Sequence, residues 1–172
     1  MKSCIRLLTL LVWGSIFVLP LFAENWPQRR GPRGDGHSPE THLPLTWSEE
    51  RGVVWRCPLP GWGNSTPVIW GDAIFVTSHV DNRQLVLLRI DRATGQVHWT
   101  ERLRGEYRAS PVLADGRIYF LNMDGLCTVI QASDQFRLLA ENPLDDRTLA
   151  SPAVSNGRIF IRGHDALYCI EG

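Results

Sequence analysis

The chain has 172 residues, 18 of them basic and 18 acidic, for a formal net charge of +0. That balance excludes a nucleic-acid partner held by bulk electrostatics and gives no pull toward an acidic membrane surface. The length suffices for one domain with its own core, and frequent Gly and Pro without long amphipathic windows predict short strands and tight turns.

The N-terminus reads as an address. Lys2 and Arg6 precede an apolar run from Leu7 to Leu19, and Pro20-Leu21-Phe22-Ala23 leads into the polar Glu24-Asn25. This is the pattern of a secretory signal peptide, with cleavage expected after Ala23. An uncleaved anchor is the alternative, although the run is short of the roughly 20 residues a spanning helix needs. The expected location is therefore secreted or periplasmic, with no transmembrane segment after cleavage. Cys4 lies before the apolar run and so is not a lipoprotein cysteine. The predicted organisation is a signal peptide over 1–23, an N-terminal arm over 24–50 and repeats over 51–172.

Self-comparison finds those repeats. Ser65-Thr66-Pro67-Val68-Ile69-Trp70-Gly71-Asp72-Ala73-Ile74-Phe75-Val76 aligns with the segments 109–120 and 150–161. The aligned residues Pro67, Pro111 and Pro152 are spaced by 44 and then 41, the period of a β-propeller blade of about 40–45 residues. Each copy reads as two strands about a tight turn, with blade starts near 65, 109 and 150. Asp115-Gly116 and Asn156-Gly157 carry the residue types that type I′ turns demand, and Gly71-Asp72 fits a type II′ turn. Pro opens the first strand, where its missing N–H does least harm. A third strand follows in each copy, over 85–90, 126–130 and 166–170.

Fourth strands are expected over 97–103 and 136–144, and no third one follows within the sequence. Val53-Val54-Trp55-Arg56-Cys57-Pro58-Leu59 has the look of a fourth strand placed ahead of the first copy. This circular offset predicts that the N-terminal strand completes the last blade, the device by which propellers remove exposed edges. The predicted fold is all-β: three four-stranded antiparallel β-propeller blades in an incomplete ring, since propellers need about four to eight blades.

Between the third and fourth strands of the first copy lies Asp91-Arg92-Ala93-Thr94-Gly95-Gln96-Val97-His98-Trp99. Asp can bond the backbone two residues on, Gly supplies a left-handed position, and Trp99 offers a large apolar plate to the neighbouring blade. The run Asp91-x-x-Thr94-Gly95-x-x-x-Trp99 resembles the pyrroloquinoline-quinone (PQQ) repeat family, with Arg89 where that family usually has Ala. The second copy has Ala132-Ser133-Asp134-Gln135-Phe136 instead, without Thr-Gly or Trp. Asn25 to Gly36 resembles the lead-in of secreted PQQ-like propellers, BamB-like proteins included, and the segments from Leu139 onward resemble their closing blades. The front of the chain thus resembles a first blade and the rear the last two. The expected join is near Trp99 to Leu103, from an internal deletion or a shortened gene model.

The resemblance implies a structural role for Asp91, Thr94, Gly95, Trp99, Pro67, Pro111, Pro152, Gly116 and Gly157. No catalytic, cofactor-binding or metal residue is expected. Quinoprotein dehydrogenases hold PQQ with calcium, a catalytic Asp and often a vicinal disulfide, none of which maps onto this chain, so PQQ stands by resemblance alone. Histidines 37, 42, 79, 98 and 164 show no metal-ligand spacing. Asp145-Asp146 reads as a loop and not as an acid/base pair. Arg33-Gly34-Asp35 reads as part of an irregular arm, and the glycines at 31, 34 and 36 follow no strand and form no dinucleotide loop. The Asn64-Ser65-Thr66 sequon reads as unmodified at an inner strand. Cys57, Cys127 and Cys169 are expected as free thiols, Cys127 and Cys169 buried. The function expected is a non-enzymatic binding or scaffold module with a protein partner or self-association. The alternatives are a PQQ-dependent oxidoreductase and a non-functional fragment of a larger propeller.

Overall fold

The computed structural model describes residues 24–81 and 84–171, and the expected signal peptide over 1–23 lies outside them. Among the described residues there are eleven strands in three antiparallel sheets. The first blade holds β1 (Val68–Trp70), β2 (Ala73–Asp81), β3 (Gln84–Asp91) and β4 (Val97–Leu103), in that order across the sheet. The second holds β5 (Val112–Ala114), β6 (Arg117–Leu121), β7 (Leu126–Gln131) and β8 (Leu138–Pro143) in the same order. The third holds β9 (Ala153–Ser155), β10 (Arg158–Arg162) and β11 (Leu167–Glu171).

The turns follow from their residues. Asp115 and Gly116 have φ of 51° and 67°, and Asn156 and Gly157 have 50° and 74°. Two successive positive φ values are what type I′ requires. At the β1–β2 turn only Gly71 is positive, at 56°, in keeping with type II′. Pro67, Pro111 and Pro152 each stand one residue before an inner strand and therefore withdraw no N–H from a ladder.

Period-2 alternation splits the strands between three apolar layers. Phe75, Leu85 and Leu87 of the first blade meet Ile118, Phe120 and Ile130 of the second, forming the largest buried cluster, with Trp99 and Phe136 at its edge. The opposite face of the second blade presents Leu121, Cys127 and Val129 to Ile161, Ile159 and Tyr168 of the third. The opposite face of the first blade presents Val76, Val86, Leu88 and Ile90, covered by Trp55 and Cys57.

That last layer corrects the expected closure. Residues 53–59 form no strand, and the third sheet has three strands instead of four. The physical reason is position. The segment lies on the far side of the first blade and β11 lies beyond the second, so three blades leave the two edges at opposite ends of the stack. Cys169 is also exposed where burial was expected, because nothing described covers the outer face of β11.

The N-terminal arm runs along the inner edge of the blades. Trp26 exchanges two backbone hydrogen bonds of 2.9 Å with Ile69 of β1. The Pro27 carbonyl accepts from Leu113 N of β5 at 2.8 Å, and Asn25 Oδ1 accepts from Gly71 N at 2.8 Å. Among the described residues, no helix is long and apolar enough to cross a membrane.

Candidate functional site

The β3–β4 turn is the most densely bonded loop among the described residues of the first blade. Asp91 Oδ1 accepts from Ala93 N at 3.0 Å, Thr94 N at 2.8 Å and Thr94 Oγ1 at 2.8 Å. The Thr94 hydroxyl bond, followed by the backbone N–H bonds, holds the Asp91 carboxyl below its ordinary pKa. Gly95 follows at φ 73° and donates its N–H to the Asp91 carbonyl at 2.9 Å.

What fills this turn is Trp55. Its Nε1 donates to the Arg92 carbonyl at 3.0 Å. Its six-membered ring lies over Gly95, where an added β-carbon would come within 2.5 Å of Trp55 Cε3. Only glycine leaves room for that approach. The repeat turn is therefore a socket for a tryptophan carried in from outside the blade. The residue motif alone did not reveal this pairing. The available signal was spacing, since Trp55 stands 12 residues before Pro67 as Trp99 stands 12 before Pro111.

Trp99 makes the corresponding approach to the second blade, but the socket there has changed. Its ring meets Phe136 edge-on at 5.5 Å and Phe75 at 6.0 Å. Its Nε1 is buried without a hydrogen-bond partner. The second turn lacks Thr-Gly, and an ion pair between Arg89 Nη2 and Asp134 Oδ1 takes a place beside it. Arg89 is buried while Asp134 is exposed, and Arg89 Nε and Nη1 have no partner.

At the second-to-third blade junction a different carboxylate acts. Burial raises the pKa of Asp146, but bonds from Asp165 N, Ala166 N, Tyr168 Oη and His164 N outweigh it and leave the carboxyl below its ordinary value. Asp146 thus closes the β10–β11 turn, and Asp145 has no such role. In the arm, Arg33 pairs with Glu24 at 3.0 Å and with Asp35 at 3.6 Å, so the Arg-Gly-Asp tripeptide is folded on itself. His79 stacks on Trp62 at 4.4 Å. Among the described residues, no group of three or more His, Cys, Asp or Glu side chains is placed to hold a metal ion.

The family model described as "Outer membrane protein assembly factor BamB", a PQQ-repeat model, matches residues 47–138, more than half of the chain. No curated protein matches the chain. Among solved structures, the quinohemoprotein alcohol dehydrogenase ADHIIG from Pseudomonas putida HK5 is 16% identical, with a TM-score of 0.50 over 64% of this chain and 18% of that one. BamB from Moraxella catarrhalis is 16% identical, with a TM-score of 0.47 over 59% of this chain and 30% of that one. A europium-containing methanol dehydrogenase is 14% identical, with a TM-score of 0.49 over 61% of this chain and 22% of that one. The chain thus spans less than a third of the length of each of these structures, and at 16% identity the likeness to the alcohol dehydrogenase is one of fold. With its blades, its tryptophan socket and the matched family model, the chain belongs to the BamB-like PQQ-repeat β-propeller family.

Proposed function

We propose that the protein is a secreted or periplasmic, non-catalytic propeller module that works by binding, either a protein partner or a second copy of itself. The observation that carries this reading is the division of its surfaces. The polar groups of the repeat turn are engaged internally, by Thr94, Gly95 and Trp55. Apolar side chains are open at both ends of the blade stack. Val54, beside Trp55, is 89% exposed at one end, and Leu167 is 68% exposed at the other. Apolar surface left open in this way marks interaction sites, and a family described as an assembly factor supports a protein partner.

Self-association has a specific geometry behind it. Among the described residues, 53–59 are held by Trp55 in the place of a fourth strand with no third strand beside it, and β11 is a third strand with no fourth beside it. Two copies would join these edges into six blades, an allowed ring size. Sedimentation equilibrium of the chain without residues 1–23 tests this, with twice the chain mass expected. A monomer that also captures no protein partner at its open ends would overturn the binding reading. PQQ- and calcium-dependent alcohol oxidation in a dye-linked assay would overturn the non-catalytic one.

A further inference from the structure

A groove of about 500 Å³ opens between the N-terminal arm and the starts of the inner strands of the second and third blades. Its size falls within the range of small-molecule sites. Three arginines line it, Arg29 and Arg30 from the arm and Arg108 from the connection between β4 and β5, and none of its lining residues carries a carboxylate. Neither Arg29 nor Arg108 makes a hydrogen bond or ion pair with another described residue. Arg30 donates only to the Asp35 carbonyl, at 3.3 Å. The arm's nearby acids, Glu24 and Asp35, are both engaged by Arg33.

The three arginine side chains are exposed, and the backbone that carries two of them is held in place. The arm is fixed to two blades by the backbone bonds of Trp26 and Pro27, immediately before Gln28 and Arg29. Gly31 closes over the Trp26 ring, leaving no room for a β-carbon. On the opposite wall, Ser151 Oγ accepts from Ser110 N at 2.8 Å, which leaves the hydroxyl hydrogen of Ser151 free to donate into the groove. The result is a concave surface lined by arginines from two chain segments, with no counter-charge among its walls. Guanidinium groups pair with carboxylate or phosphate through charge-assisted, often bidentate, hydrogen bonds.

We infer that this groove is a binding site for a small ligand carrying two or more oxyanion groups, carboxylate or phosphate. One oxyanion is held by Arg29 and Arg30 and another by Arg108, with Ser151 as a neutral donor between the walls. Neither Val54 nor Leu167, the apolar side chains open at the ends of the stack, is among its lining residues.

Isothermal titration of the chain without residues 1–23, at low ionic strength, tests this with two probes: citrate for carboxylates and inorganic pyrophosphate for phosphates. Binding of either probe is expected, weakening as salt rises, and the tighter probe identifies the oxyanion. Arg108→Gln and Arg29→Gln should each weaken it about tenfold, the loss of one charge-assisted contact, while Arg108→Lys should lose less. Arg102→Gln, at an exposed position of β4 away from the groove, serves as the charge control and should bind as the parent does. Circular dichroism and the melting temperature confirm that the variants stay folded. Absence of binding by both probes would overturn the site. So would equal binding by the folded Arg29→Gln/Arg108→Gln double variant, or an equal loss in Arg102→Gln.

Discussion

At Asp91, three hydrogen bonds converge on one carboxylate oxygen, and the turn they shape receives Trp55. Asn would keep an acceptor there but not the charge. Because the folded carboxyl titrates below 3.8, the unfolded chain takes up its proton first as pH falls. The stability it contributes is thus present above that value and is lost as pH drops through the folded pKa. Asp91→Asn should therefore melt below the parent at pH 7, with the gap narrowing once pH falls below 3.8; a gap that stays constant down to that range would refute the charge-based account. Asp91, Thr94 and Gly95 could be read from the sequence because their interactions are local. Their target could not, because Trp55 lies outside the motif and reaches it only through packing.

The element scale shows how one socket can be replaced by another device. In the first blade the β3–β4 turn holds Trp55 by a hydrogen bond and a glycine. In the second the glycine is gone, Trp99 keeps its packing but not its hydrogen bond, and Arg89 reaches across to Asp134. Arg89, read in the sequence only as a departure from the family pattern, acquires a reason: it joins β3 to the turn of the next blade. A double-mutant cycle of Arg89→Met and Asp134→Ala should give a coupling of about 1 kcal/mol, kept small by the exposure of Asp134. Arg89→Met itself should be mild, since it removes a buried cation with unpartnered nitrogens and keeps the apolar stem. A coupling near zero in urea titrations would assign the blade junction to apolar packing alone. Strands and turns were legible at this scale because Gly and Pro punctuation and Asp-Gly or Asn-Gly pairs act locally; the missing strand character of residues 53–59 was not, because a strand also needs a neighbour.

In the whole molecule, stability should grade along the stack. The layer between the first and second blades is the largest buried cluster, whereas β9 is exposed throughout and β11 mostly so. Hydrogen exchange of the dilute chain should find the slowest amides in β2, β3, β6 and β7 and the fastest strand amides in β9 and β11. Uniform protection across all three blades would mean that the third is completed by something outside the described stack. The blade period, the turn types and the family resemblance were readable along the chain, since these depend on residues near one another in it. Folding in space is what sets Trp55 in the Asp91–Gly95 turn, fixes the arm along the inner edge, brings Arg29, Arg30 and Arg108 to one groove, and leaves residues 53–59 and β11 at opposite ends. Each of these depends on distance in space between segments far apart in sequence, and three blades turn too little of a ring to bring the two ends together.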